Sequence, residues 1–211
     1  MAEQEHKIVI DKSKSIKLQK LSEKPLNTFT EELASAEGKP ETGSAAALVA
    51  ALAPALGSLA AALAEIDPEG EHKDLVLELG EMRKYMLKQV DEIPRSRAPL
   101  MKRIEEKADG LHLESAARVA CGIPNEIVYL MCRCMELLDA LLPLCRDEDK
   151  TTIQAAVYLC LAVISVMRGQ IDLYTTYMQD ASFRYVCKRE AELNVQQHQA
   201  LIDELLAKTA L

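Results

Sequence analysis

Apolar residues recur at steps of three and four along most of this chain. Leu75, Leu79, Met82, Met86, Val90 and Ile93 form the clearest stripe and predict a helix over residues 72–93. An earlier helix is expected to open at Thr28. There Thr28-x-x-Glu31 fits a capping box, and Phe29 and Leu33 share a face. It should end near Glu37–Gly38, where the turn GKPETG follows. Residues 44–65 read as the next helix, apolar on every side, with Thr42 or Ser44 as its cap and a kink at Pro54. The segment DPEGE at 67–71 closes it. Pro94 is expected to break the 72–93 helix, and RSRAPLMKR then reads as a basic connector opening a short helix through Lys107. Residues 113–145 are helical again, with an interruption at Gly122-Ile123-Pro124. Residues 151–178 and a last helix to 208, capped by Asp180 or Ser182, complete the pattern. An alternating pattern occurs only near the start, in KIVI at 7–10 and SIKLQKL at 15–21, and suggests a short extended arm or a tail. The fold class is therefore all-α, a bundle of long antiparallel helices. Residues 1–24 read as an arm or tail and 25–211 as a single helical domain.

Composition narrows the functional classes. Apolar residues make up 49% of the 211, but aromatic residues only 4%, so Ala, Leu, Val, Met and Cys supply the bulk. That suits helix packing better than a sheet sandwich. The net charge of -8 argues against nucleic acid as a partner. The start of the chain is charged and lacks an apolar signal core, and six cysteines without such a signal fit a reducing cytoplasm. Those cysteines contain no C-x-x-C. Cys132 and Cys134, two apart, point to different helix faces, so no metal site is expected.

The uncharged run from Thr42 to Ala64 is long enough to span a bilayer. Alanine contributes little transfer energy, however, and Pro54, Gly57 and two serines dilute it further. No membrane is expected as a partner. A buried helix is the better reading, covered partly by the bundle and partly by a second subunit in a C2 dimer.

Three stretches carry a resemblance: LNTFTEELAS through PETGSAAALVAALAPAL, then IPNEIVYLMCRCMELLDAL, then TTIQAAVYLCLAVISVMRGQIDLYTTYMQDASF. Together they resemble the cyclodeaminase/methenyltetrahydrofolate cyclohydrolase family, the C-terminal half of formiminotransferase-cyclodeaminase and its stand-alone bacterial relatives. The likeness covers residues 26–208 in order. It implies an all-α dimer acting on one-carbon folates, either closing 5-formiminotetrahydrofolate with release of ammonia or interconverting methenyl and 10-formyl tetrahydrofolate. It implies a tetrahydrofolate derivative as substrate, with no tightly bound cofactor.

Departures from the family pattern bear on the site. Glu41 and Thr42 stand where the family has its first two glycines, leaving Gly43 and Ser44. Asp91 and Glu92 remain from an acidic run, but Ile93-Pro94-Arg95 follows where a further acid is expected. Thr151-Thr152 replaces a Ser-Asp pair, and Arg168-Gly169-Gln170 stands where the family has an Asn. The catalytic candidates are Asp91 and Glu92, whose other reading is a solvated helix end. The ligand-binding candidates are Gly43 and Ser44 at the turn, Arg95 and Arg97 in the basic cluster with Lys102 and Arg103, and Arg168. Gly43 and Ser44 also fit a plain turn and cap, and Arg168 fits an ion pair with Asp172. Two functions stay open: a folate cyclodeaminase or cyclohydrolase with an altered site, and a non-catalytic helical dimer binding another small molecule or a protein.

Overall fold

A computed structural model describes residues 20–35 and 40–210. The expected arm at KIVI and most of SIKLQKL lies outside them. Six α-helices occur among the described residues: α1 (Leu26–Ala34), α2 (Thr42–Leu63), α3 (Lys73–Glu105), α4 (Gly110–Leu141), α5 (Lys150–Thr175) and α6 (Ala181–Thr209). Short 3₁₀ turns at Leu21–Glu23, Leu142–Leu144 and Asp147–Asp149 join or precede them, and no strand is present in the same residues.

Helix α2 lies at the centre, against α3, α5 and α4. Its alanines explain how. Ala47, Ala50, Ala53 and Ala60 are fully buried, and a Cβ on Gly57 would sit 3.0 Å from Leu79 Cδ2 and 3.1 Å from Leu138 Cδ2. Small side chains let three neighbouring helices approach one axis. Leu79, Met86 and Ile93 of α3, Met131, Met135 and Leu138 of α4, and Ile153 and Met167 of α5 fill the space around it. By length and composition α2, and α5 with its leading turn, could each cross a membrane, yet only 50% and 39% of their apolar windows are buried in the bundle.

The prolines do not end their helices. α3 runs unbroken through Pro94 and Pro99 to Glu105, so the expected basic connector is helical. α4 likewise continues through Gly122-Ile123-Pro124. At Pro94 the compensation is visible. Proline removes the N–H that would bond the carbonyl four residues back, on Val90. The Ser44 hydroxyl of α2 donates to that buried carbonyl instead, at 2.9 Å. The caps differ from expectation as well. α1 begins at Leu26 behind Pro25, so Thr28 and Glu31 are inside it and form no capping box. α2 begins at Thr42 behind Glu41, and no side chain caps it. Asp180 does cap α6, accepting from the N–H groups of Ser182 (2.8 Å) and Phe183 (3.3 Å).

Candidate functional site

The head of α2 meets the middle of α3 and the end of α5. Gly43 packs so tightly there that a Cβ would lie 2.6 Å from Ile93 Cγ2 and 3.0 Å from Gln170 Oε1. Glycine is needed for close approach of helices, not for a ligand. Ser44 is fully buried, with its hydroxyl engaged on Val90. Neither expected ligand-binding residue of the turn faces open space.

Asp91 is also engaged. It is 8% exposed, and its carboxylate holds the segment before α1. Leu21 N–H donates to Oδ1 at 2.6 Å and the Ser22 hydroxyl to Oδ2 at 2.5 Å. With both oxygens occupied, this acid anchors chain rather than moving protons. Glu92 pairs with Arg95 on the surface at 2.8 Å, so this second acid and that arginine neutralise each other. Arg168 lies on an exposed face of α5. Its expected partner Asp172 pairs instead with Lys188 of α6 at 2.7 Å. Helical spacing suggested the i,i+4 pair, but the neighbouring helix α6 supplies a better-placed cation.

Arg97 is the predicted residue that does join a site. Its guanidinium pairs with the Glu41 carboxylate across the α2–α3 junction. Both side chains are mostly buried, at 28% and 16% exposure, and each keeps an unpartnered polar atom, Arg97 Nε and Glu41 Oε1. Beside them opens a cleft of about 470 Å³. Pro94, Ala98 and Met101 give it an apolar wall, and Lys102 and Glu105 add one charge of each sign. Close by, the Tyr174 hydroxyl donates to Gln170 Oε1 at 3.0 Å. Burial pushes the Tyr174 phenol up to about 12; the charge of Arg97 pulls it down, and Glu41 and Cys121 push it up.

Sequence reasoning named Glu41 and Gln170 only as departures from the family pattern, not as site candidates, and did not mark Tyr174 at all. Glu41 stood out only as a replacement for a family glycine, and its partner lies 56 residues away, beyond any local pattern. Gln170 and Tyr174 carried a weak signal, two polar groups four apart on one helix face. No group of three or more metal-binding side chains occurs among the described residues.

An all-α bundle with a half-polar cleft at the head of its central helix defines the class. Within it, residues 25–193 match the formiminotransferase-cyclodeaminase family, and the chain belongs to that family. No curated protein matches the sequence. Among solved structures it is similar to a formiminotetrahydrofolate cyclodeaminase from Thermotoga maritima, with a TM-score of 0.73 and 20% identity over 90% of this chain and 96% of that one. At that identity the likeness concerns the fold.

Proposed function

We propose that this protein is a cyclodeaminase-like or cyclohydrolase-like protein that takes a one-carbon tetrahydrofolate derivative in the α2–α3 cleft. The observation that carries this reading is the Glu41–Arg97 pair at the head of α2, with one carboxylate oxygen left without a donor. Attack of water or of a ring nitrogen on the one-carbon unit requires a group to accept a proton, and return of that proton releases the leaving amine. Glu41, which lines the cleft, is the residue we assign to this work. Arg97 fixes its orientation. Met101, Ala98 and Pro94 suit one face of a flat ring, and Lys102 suits a carboxylate tail.

The test mixes purified protein with methenyltetrahydrofolate and follows the ligand's ultraviolet band. Faster decay than in buffer, lost in Glu41→Gln while the variant stays folded, is the expected result. No acceleration together with no folate binding by calorimetry rejects the reading. Folate binding without turnover would support the second reading, a non-catalytic relative. The engagement of Asp91 and Glu92 favours that alternative.

We also propose that the protein works in the cytoplasm as a C2 homodimer joined through α2 and α5. Their exposed apolar stripes run side by side. Thr42, Ala45 and Val49 adjoin Ala162 and Val166 around an apolar groove of about 230 Å³, and exposed Leu52, Leu59 and Tyr158 extend the patch. Light scattering on a sizing column should give twice the chain mass, and Leu52→Glu with Leu59→Glu should give the monomer.

A further inference from the structure

We infer that the cleft between α4 and α6 is a second binding site, built for a small organic amine in its ammonium form. It encloses about 370 Å³ and shares no lining residue with the α2–α3 cleft. Asn125 lies on its wall, only 6% exposed. The Asn125 Nδ2 donates to the Cys121 carbonyl at 3.3 Å, while Oδ1 is buried with no donor. A buried acceptor without a partner is uncommon and calls for an N–H.

The charges point the same way. Glu126 of α4 and Glu190 of α6 line the cleft, and neither makes an ion pair among the described residues. Arg118 is the one cation in the lining; its charge is met by Glu114, while its Nε is buried without an acceptor. Its guanidinium stacks on Phe183 at 3.3 Å from the ring centre. The Tyr129 ring, half exposed, offers a π face to a cation. Glu190, with Glu126 held by the Tyr85 hydroxyl but without a counter-cation, joins an orphan acceptor and an aromatic face in selecting a donor-rich cation. The absence of a three-ligand cluster among the described residues favours an organic cation over a metal ion. At Gly122 a Cβ would meet nothing within 4 Å, so the cleft stays open at its α4 wall.

Calorimetric titration of the full chain with putrescine at low ionic strength tests the proposal, with butanediol as the uncharged control. Saturable binding of putrescine alone is expected. Glu190→Gln should weaken it about threefold, as loss of one exposed charge does. Asn125→Leu should weaken it about tenfold. Gly122→Leu should block binding yet raise the melting temperature, because leucine is the better helix former. Absence of saturation with putrescine overturns the proposal. So does equal affinity in the wild type and all three variants. Glu190 is exposed, so its variant reports even if another folds poorly.

Discussion

Two helix heads in this bundle face the same problem and solve it differently. A helix start leaves backbone N–H groups without partners and carries a positive dipole end. At α6 both are met from inside the fold. Asp180 caps Ser182 and Phe183, while Glu114 of α4 accepts from the N–H groups of Gln179 (2.9 Å) and Asp180 (3.0 Å). At α2 no side chain caps the helix. The carboxylate in the N-cap position, Glu41, turns to Arg97 and keeps one oxygen unpartnered beside a cleft. One head is closed for stability, and the other leaves polar capacity for something else. That contrast, more than a motif, makes the α2 head the candidate site.

The contrast breaks most severely at Glu114. Glu114→Ala removes two charge-assisted hydrogen bonds to the α5–α6 turn and strips Arg118 of its closest partner. A drop of several degrees in melting temperature is expected, with faster amide exchange at Gln179–Phe183. Equal exchange there in wild type and variant would show that the turn is held by packing alone.

Ser44 at the α2 head sharpens the comparison, because its hydroxyl is structural. Ser44→Ala leaves the Val90 carbonyl buried and unsatisfied, at a cost of about 1–3 kcal/mol. Pro94→Ala restores a backbone donor to the same carbonyl. In that background Ser44→Ala should cost little, so the two substitutions should couple strongly in a denaturant-melt cycle. Additive costs would disprove the compensation.

Acidity acts on several carboxylates at once. Glu114 is held below the usual range by the Asp180 N–H, against burial, and with help from Arg118. Arg133 holds Glu78 down. At Glu136 burial raises the value, but bonds from Arg133 and His198 outweigh it and the net shift is downward. A folded value below the unfolded one gives stability that is present above about pH 4.3 and lost as pH falls through the folded values. The thiols give the opposite limb. Burial pushes Cys121 up to about 12 and Cys132 up to about 11. Their contribution is full below the unfolded thiol value of about 8.5 and declines above it. Melting temperature against pH should therefore show a plateau from about pH 5 to 8. In Glu114→Gln the acid limb should be shallower.

The fold was legible because helical periodicity is local: α3 carries the stripe from Leu75 to Ile93, and α5 and α6 run close to their expected bounds. The helix breaks were not legible. Pro94 reads as a stop unless one knows that Ser44, 46 residues away, supplies the missing donor. The site failed for the same reason. Asp91 has the right chemistry for an acid, but Leu21 and Ser22 occupy it from 70 and 69 positions away. Arg168 and Asp172 have ideal spacing, yet Lys188 arrives from another helix. What the sequence marks is residue type, and what decides function here is which groups remain unpartnered after the helices pack.

The smallest stability effect carries the most functional information. Glu41→Gln leaves Arg97 without its counter-charge near the positive end of α2, and Arg97→Gln leaves a mostly buried carboxylate. Each should cost about 1 kcal/mol, and the double variant should cost less than the sum, because removing both charges relieves what either leaves behind. Stability and folate handling then part company. If the pair only holds α2 to α3, ligand binding and turnover should recover in the double variant along with the melting temperature. If Glu41 takes a proton, turnover should stay lost in Glu41→Gln and in the double variant alike, whatever the melting curve does. Turnover restored with stability would place the α2 head beside the α6 head, as a second structural cap.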